Sequence, residues 1–255
     1  MNSVAIVTGA SSGIGKAAAI RLARDFSSIV LVAREGDKLA RVAESARKEG
    51  CDCLALSLDL SAATAAATVI ERTLERFRRI DALLNIAGAV AAADVFDMTD
   101  AQWTSGMELK FHGARRLALH AWDALRTAKG SIVFISGNAA AIPTASSAAV
   151  GAINAAIEAL AKAFADRGIE DGVQVNTVSP GAILTDRRLG ILEKAAAEQN
   201  VSLDDMKTRF LKQVRVSRFG EPDDIAELLA FIVSPKAKYM TGTVLRMDGG
   251  EVKSN

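Results

Sequence analysis

The chain has 255 residues, 50% of them hydrophobic, with 31 Lys plus Arg against 30 Asp plus Glu and a formal net charge of +1. Such a length and apolar content suit one large α/β layer structure. The balanced charge gives no basis for a nucleic-acid or anionic-membrane partner. The N-terminus has neither a basic stretch nor a long apolar segment, and no apolar run reaches the ~18 residues of a membrane span, so a cytoplasmic protein is expected. Cys51 and Cys53 cannot form a disulfide framework. They read as small apolar residues on a strand, with one thiol expected on each side.

The first element is an apolar run, residues 4–7, with strand character. It leads into TGASSGIG, from Thr8 to Gly15, and then into a helical pattern carried by Ile14, Ala17, Ala18, Ile20 and Leu22. A strand, a glycine-rich turn and a helix start make an anion site, because the new helix offers free N–H groups and the positive end of its dipole. Gly9 suits the tight turn, Gly13 a backbone that approaches an anion, and Gly15 close packing of helix on strand. The spacing differs from the GxGxxG dinucleotide fingerprint.

Residues 29–33 form a short buried strand ending at Arg34. A charged helix follows over residues 36–48, with Leu39, Val42, Ala43 and Ala46 on one stripe. A third strand, 53–58, ends at Asp59-Leu60, and Ser61 looks like the N-cap of a helix over 62–78. A fourth strand, 80–86, ends in NIAG from Asn85 to Gly88. Thr99-Asp100 opens a long helix to about Arg126. Then come a strand at 131–135, an alanine-rich helix at 148–166 and a strand at 173–178 that ends at Ser179-Pro180-Gly181. Residues 185–216 are charged and helical with less clear order. A helix at 222–232 begins with proline in its first turn, and a last strand spans 243–247. Strands alternate with helices throughout, with no linker. The pattern predicts one domain over residues 1–255: a doubly wound parallel sheet with helices on both faces.

Several landmarks together resemble the short-chain dehydrogenase/reductase family. They are TGASSGIG at Thr8, Asp59-Leu60, NIAG at Asn85, VNTVSPGAILT from Val175 to Thr185, and the closing RFGEPDDIAELLAFIVSP and YMTGTVLRMDGG segments. They lie in the family's order over residues 4–250. The resemblance implies a Rossmann-type sheet of about seven strands, a nicotinamide dinucleotide cofactor, and a homotetramer or homodimer built through the two long central helices. It also implies site residues. Gly9, Ser11, Ser12, Gly13 and Ile14 would line the pyrophosphate and adenosine side. Asp59 would accept from the adenine amino group, with Leu60 offering backbone. Asn85, Ala87 and Gly88 would run beside the ribose and nicotinamide, and Pro180, Gly181, Ile183 and Thr185 would hold the nicotinamide face and amide.

Arg34 bears on the choice of cofactor. An NAD site usually offers a carboxylate at the end of the second strand, whereas a guanidinium can stack on adenine and hold a 2′-phosphate in bidentate fashion. NADP is therefore expected, with NAD as the alternative and Glu35 as a blemish on the positive field.

The family's proton chemistry uses a tyrosine, a lysine four residues later and a serine about a dozen residues earlier. This chain has one tyrosine, Tyr239, and the residue four later is Thr243. Matching the flanks places Val150 at the tyrosine position and Asn154 at the lysine position. The serine position falls on Gly137, or on Ser136 after a one-residue slip, and the asparagine of the long helix falls near Glu108. Valine has no proton to give, and an amide does not titrate near neutral pH. Asn154 can still hydrogen-bond ribose hydroxyls. Lys110 and His112 follow Glu108. Glu108 with His112 forms an i, i+4 pair that reads as a proton relay or as a surface contact. His120 reads as structural, and no cluster has metal-ligand spacing.

Three readings remain. The first is an NADP-dependent oxidoreductase of a carbonyl or alcohol substrate, with an unusual proton path such as a water held by Ser136 and Asn154. The second is a catalytically inactive cofactor-binding protein, a redox-responsive regulator or partner subunit. The third, a lyase or dehalogenase on the same fold, ranks last, because such relatives are expected to keep the acid–base residues and lose the dinucleotide motif. No substrate can be named. Residues 187–216 are expected to cover the pocket, with Leu189, Ile191, Leu192, Met206, Phe210 and Leu211 as packing residues.

Overall fold

The computed structural model describes residues 3–253. Its centre is a seven-stranded, wholly parallel sheet of order β3-β2-β1-β4-β5-β6-β7. The strands are β1 (Val4–Thr8), β2 (Ser28–Ala33), β3 (Asp52–Ser57), β4 (Ala82–Asn85), β5 (Ser131–Ile135), β6 (Gln174–Pro180) and β7 (Val244–Met247). All residues of β1, β2, β4, β5 and β6 are buried. Continuous burial is what a parallel sheet covered on both faces demands, and it explains the unbroken apolar runs.

The helices are α1 (Gly13–Leu22), α2 (Gly36–Lys48), α3 (Ala65–Phe77), α4 (Asp100–Gly106), α5 (Gly113–Ala128), α6 (Ala148–Asp171), α7 (Asp186–Glu198), α8 (Leu203–Val214) and α9 (Pro222–Val233). One face of the sheet is covered by α1, α2 and α9, through Ala19, Leu22, Val42 and Leu229. The other is covered by α3, α5 and α6, through Val69, Leu117, Leu125 and Ile157. Residues Ala145–Asp171 are long and apolar enough to cross a bilayer by length and composition alone. In this fold the helix packs Ile157, Ala161 and Ala165 against the sheet.

Strand order reverses between β1 and β4, so a crevice opens above their C-terminal ends, where ligands of open α/β sheets bind. The two motif turns flank it and are tied together by Thr8. Its hydroxyl accepts from the backbone N–H of Ile86 (2.8 Å) and Ala87 (3.0 Å) and donates to the Leu84 carbonyl (3.2 Å).

Three local expectations change. Helix α3 begins at Ala65 with Thr64 before it, not at residue 62, because Asp59 Oδ1 accepts from the backbone N–H and hydroxyl of Ser61 and closes a turn there first. The long helix opens at Asp100 as expected, and a Thr99–Gln102 capping box holds its start, but a π-helical turn, Met107–His112, separates α4 from α5. The two cysteines do not face opposite sides. Both are buried, and their Sγ atoms lie 3.4 Å apart. Residues two apart along an extended chain share a face, which brings both thiols to one side.

The charged segment after Thr185 forms a small satellite. Leu192, Ala196, Met206 and Phe219 bury together, Phe210 stacks on Phe219 at 5.5 Å, and the Arg188 guanidinium lies 4.9 Å from the Phe210 ring centroid.

Candidate active site

The glycine-rich turn is shaped by backbone needs. Gly9 has φ +67°, a conformation natural only to glycine, and a Cβ there would also meet the Ala87 backbone at 3.0 Å. At Gly15 a Cβ would sit 2.1 Å from the Gly9 carbonyl oxygen, so α1 can lie on its own entry turn only if residue 15 has no side chain. Helix α1 starts at Gly13 with no side-chain cap on its N-terminus and no acid in its first turn. Its free N–H groups and dipole are left for an external anion.

That helix end opens on a cleft of about 400 Å³. Of the residues expected to hold a dinucleotide, Gly9, Ser11, Ser12, Gly13, Ile14, Arg34, Leu60, Ala87, Gly88 and Thr185 line it. Arg34 is exposed and has no ion-pair partner among the described residues, whereas Glu35 is paired with Lys38 at 2.7 Å. The neighbouring carboxylate thus has a cation of its own, and the guanidinium lines the cleft without an ion pair among the described residues.

Two expected residues stand elsewhere. Asp59 lies beside the cleft, between the lining residues Leu58 and Leu60. Its Oδ1 is used by Ser61, whose N–H and hydroxyl hold the carboxyl below its ordinary range, with Arg34 adding to the effect. Asn85 is buried below the rim, and its amide N and O have no hydrogen-bond partner among the described residues.

A second cavity of about 410 Å³ adjoins the first. It is lined by Asn154, Pro180, Gly181 and Ile183 among the expected residues, and by Gly137 and Val150. The two cavities share Ile14, Gly88, Lys110, Ile135, Thr185 and Arg187. Thr185 also caps α7, its hydroxyl accepting from Arg188 N–H at 3.2 Å. Ile191, expected as a packing residue, lines this cavity and is half exposed.

The polar groups of the second cavity differ from those expected. Ser136 does not offer its hydroxyl to a bridging water beside Asn154, because it donates to Glu158 Oε1 at 2.7 Å. The Glu108–His112 relay is absent: Glu108 pairs with Arg116 at 2.9 Å, and His112 Nδ1 is buried without a partner among the described residues. The π-helical turn accounts for this, since it shifts residues four apart off a common line. Tyr239 is fully exposed and lines neither cavity.

Lys110, on that π-helical turn, is the group the sequence did not single out. Its stem crosses Gly88, where a Cβ would lie 3.0 Å from Lys110 Cδ. Its Nζ donates to the Ser136 carbonyl at 3.1 Å and to Asn154 Oδ1 at 2.5 Å. Burial, and the nearby Arg187 guanidinium, push its pKa down to about 8, against an opposing pull from Glu158. Across the cavity, Asn138 Nδ2 donates to Glu251 (3.1 Å) and Asp248 (3.2 Å). Burial raises the Glu251 carboxyl and lowers the Arg188 guanidinium, and each partly offsets the other. No sequence pattern marks the π turn that aims Lys110. The only signal was a lysine two residues after Glu108.

The family model described as "Enoyl-(Acyl carrier protein) reductase", of the short-chain dehydrogenase type, matches residues 9–251. A 3-oxoacyl-(acyl-carrier-protein) reductase, FabG, of Staphylococcus epidermidis is 30% identical over 252 residues, covering 98% of this chain and 99% of that protein. Among solved structures, L-sorbose reductase from Gluconobacter frateurii, complexed with NADPH and L-sorbose, is 28% identical with a TM-score of 0.95, covering 100% of this chain and 98% of that one. YwfH, an NADPH-dependent reductase involved in bacilysin biosynthesis, is 26% identical with a TM-score of 0.93, covering 100% of both chains. Motifs, sheet order and matched length agree, and the chain belongs to the short-chain dehydrogenase/reductase family.

Proposed function

We propose that this protein is an NADP(H)-dependent oxidoreductase that interconverts a carbonyl and an alcohol without the family's tyrosine. One observation carries this reading. The uncapped N-terminus of α1 opens on a cleft that meets a second cavity at Gly88, Lys110, Thr185 and Arg187. A dinucleotide in the first would present its reactive end to a substrate in the second. The NADPH named for the sorbose reductase and for YwfH supports the cofactor, and the carbonyl chemistry of the relatives' names supports the reaction.

When bound, the cofactor supplies or accepts hydride. The chain's own groups do the rest. The N–H groups at the start of α1 hold phosphate, and Arg34 takes the 2′-phosphate. Leu60, Ala87 and Gly88 wall the adenosine and ribose path, with Asp59 at its rim. Asn154 bonds ribose hydroxyls through its amide, and Pro180, Gly181 and Ile183 back the nicotinamide. Residues 1–255 act as one cofactor-binding domain, in the cytoplasm. Assembly through α5 and α6 is part of the reading and is supported by the exposed Leu119 and Ile169 on those helices.

A second reading, a regulator or partner subunit that binds the cofactor without turnover, is favoured by Val150. It lines the cavity, and matching the flanking sequence puts it at the family's tyrosine position, where it offers no proton. The separating experiment follows NADPH absorbance with the purified chain and three probes: a 3-oxoacyl thioester, L-sorbose and a simple cyclic ketone. Consumption with any of them supports the enzyme. Tight NADPH binding with none consumed supports the second reading.

A further inference from the structure

We propose that Lys110 is the catalytic proton donor and acceptor of this site, giving a proton to the carbonyl oxygen during reduction and taking it back during alcohol oxidation. The proposal rests on the oxidoreductase reading above.

Elimination leads to this residue first. The ionisable side chains lining the second cavity are Lys110, Arg187, Arg188 and Glu251. A guanidinium keeps its proton at any working pH. Glu251 is held by Asn138, lies by Gly181 and Arg188, and does not reach the glycine-rich cleft. Hydride must cross where the two cavities meet. Of the described residues lining both, Lys110 and Arg187 alone are ionisable, and of these only Lys110 can exchange a proton.

Geometry supports the choice. The aliphatic stem is laid across Gly88, so the ammonium is aimed rather than free. Two of its three N–H donors are used, by the Ser136 carbonyl and Asn154 Oδ1. The third has no partner among the described residues and is left for a substrate oxygen. Neither bound acceptor is charged, so neither ties the proton down as a carboxylate would. The charged groups that bear on the ammonium are Arg187 from α7 and Glu158 from α6, and their opposed effects with burial leave an amine poised near 8, close to the range in which an acid–base group works best. The ammonium thus reaches the Asn154 position from the α4–α5 helix instead of being carried by α6.

The step balances. Hydride from NADPH forms the new C–H bond and leaves NADP⁺. The carbonyl carbon is reduced by two electrons, and its π pair moves to oxygen. One Lys110 N–H bond breaks as the O–H bond forms, and the neutral amine regains a proton from water.

The test combines two substitutions with one measurement on the unloaded protein. In Lys110→Met, turnover with L-sorbose or the 3-oxoacyl thioester should fall about a hundredfold or more, while NADPH affinity in calorimetry stays within about threefold of wild type. Lys110→Arg keeps the charge and its donors but cannot titrate. It should lose as much turnover, together with any pH break near 8. Competitive amine acetylation of the cofactor-free protein should half-react Lys110 near pH 8, below the ~10.4 of ordinary lysines. Turnover that survives Lys110→Arg, or half-reaction at ~10.4, overturns the proposal and leaves the oxidoreductase reading intact. Loss of NADPH binding in folded Lys110→Met and Lys110→Arg alike also overturns it, in favour of cofactor anchoring. Intact NADPH binding without turnover in wild-type protein overturns both. If Lys110→Met does not fold, Lys110→Arg and the acetylation profile decide.

Discussion

Lys110 Nζ lies 2.5 Å from Asn154 Oδ1, so a lysine on the π-helical turn is joined to an amide carried by α6. On the proposed reading the ammonium comes from that turn, and the amide stands where the family's lysine is expected. The glycine turn, Ala87 and Gly88 of the NIAG turn and the Pro180 segment line the cavities around them.

That reading changes how the family's residues would be restored. Asn154→Lys alone would set a second ammonium beside the first, and like charges at that range repel strongly when shielded from water. It should lower thermal stability and leave turnover no higher. Gly137→Ser, Val150→Tyr and Asn154→Lys should raise ketone reduction only when Lys110→Met is added. A Cβ at residue 137 would lie 3.0 Å from Asn154 Nδ2, so the serine also needs that amide gone. Turnover of the triple and quadruple variants on a cyclic ketone checks this order.

Arg34→Asp should weaken NADPH binding by about tenfold to a hundredfold, the worth of a charge-assisted phosphate contact. NADH binding should change little or improve, because a carboxylate suits a 2′-hydroxyl. Calorimetry with both cofactors is the check, and equal losses would remove the 2′-phosphate role.

Gly88→Ala should act through Lys110. The new methyl would meet the lysine stem at 3.0 Å, and a flexible stem moves rather than the backbone. The fold should survive with a stability loss of about 1 kcal/mol or less. Turnover should drop several-fold and the acetylation midpoint of Lys110 should move.

Lys110 also has a signature in stability. Its pKa falls from 10.5 in the unfolded chain to about 8 in the folded one. Between those values the unfolded state holds more protons, so stability rises with pH across that window. The cost of the charged amine is fully present below pH 8. Wild-type protein should therefore gain stability relative to Lys110→Met as pH rises from about 8 to about 10.5. Denaturant melts at several pH values read this directly, and a constant difference would contradict it.

Gly15→Ala should be the most damaging change in the cofactor turn, since its Cβ would lie 2.1 Å from the Gly9 carbonyl oxygen and the backbone must shift. A loss of about 3 kcal/mol or more is expected, with NADPH binding lost in whatever still folds.

The strands and most helices could be read from periodicity because a doubly wound parallel sheet buries its strands on both faces, leaving apolar runs such as 29–33 between amphipathic helices. The glycine roles could be read because each answers a backbone requirement. Local chemistry obscured the rest. The Asp59–Ser61 turn delayed α3, and the π turn at Met107–His112 broke the i, i+4 pairing that made Glu108 and His112 look like a relay. The same turn aims Lys110, and a π turn leaves no periodicity in so short a segment. The hydroxyl of Ser136 could not be assigned from sequence, because Glu158 claims it from 22 residues away.

The most direct measurement is a calorimetric titration of the purified protein with NADPH, NADP, NADH and NAD. The account predicts micromolar binding with a clear preference for the phosphorylated pair. No binding of any of the four would make the TGASSGIG turn a structural relic and would contradict the oxidoreductase assignment.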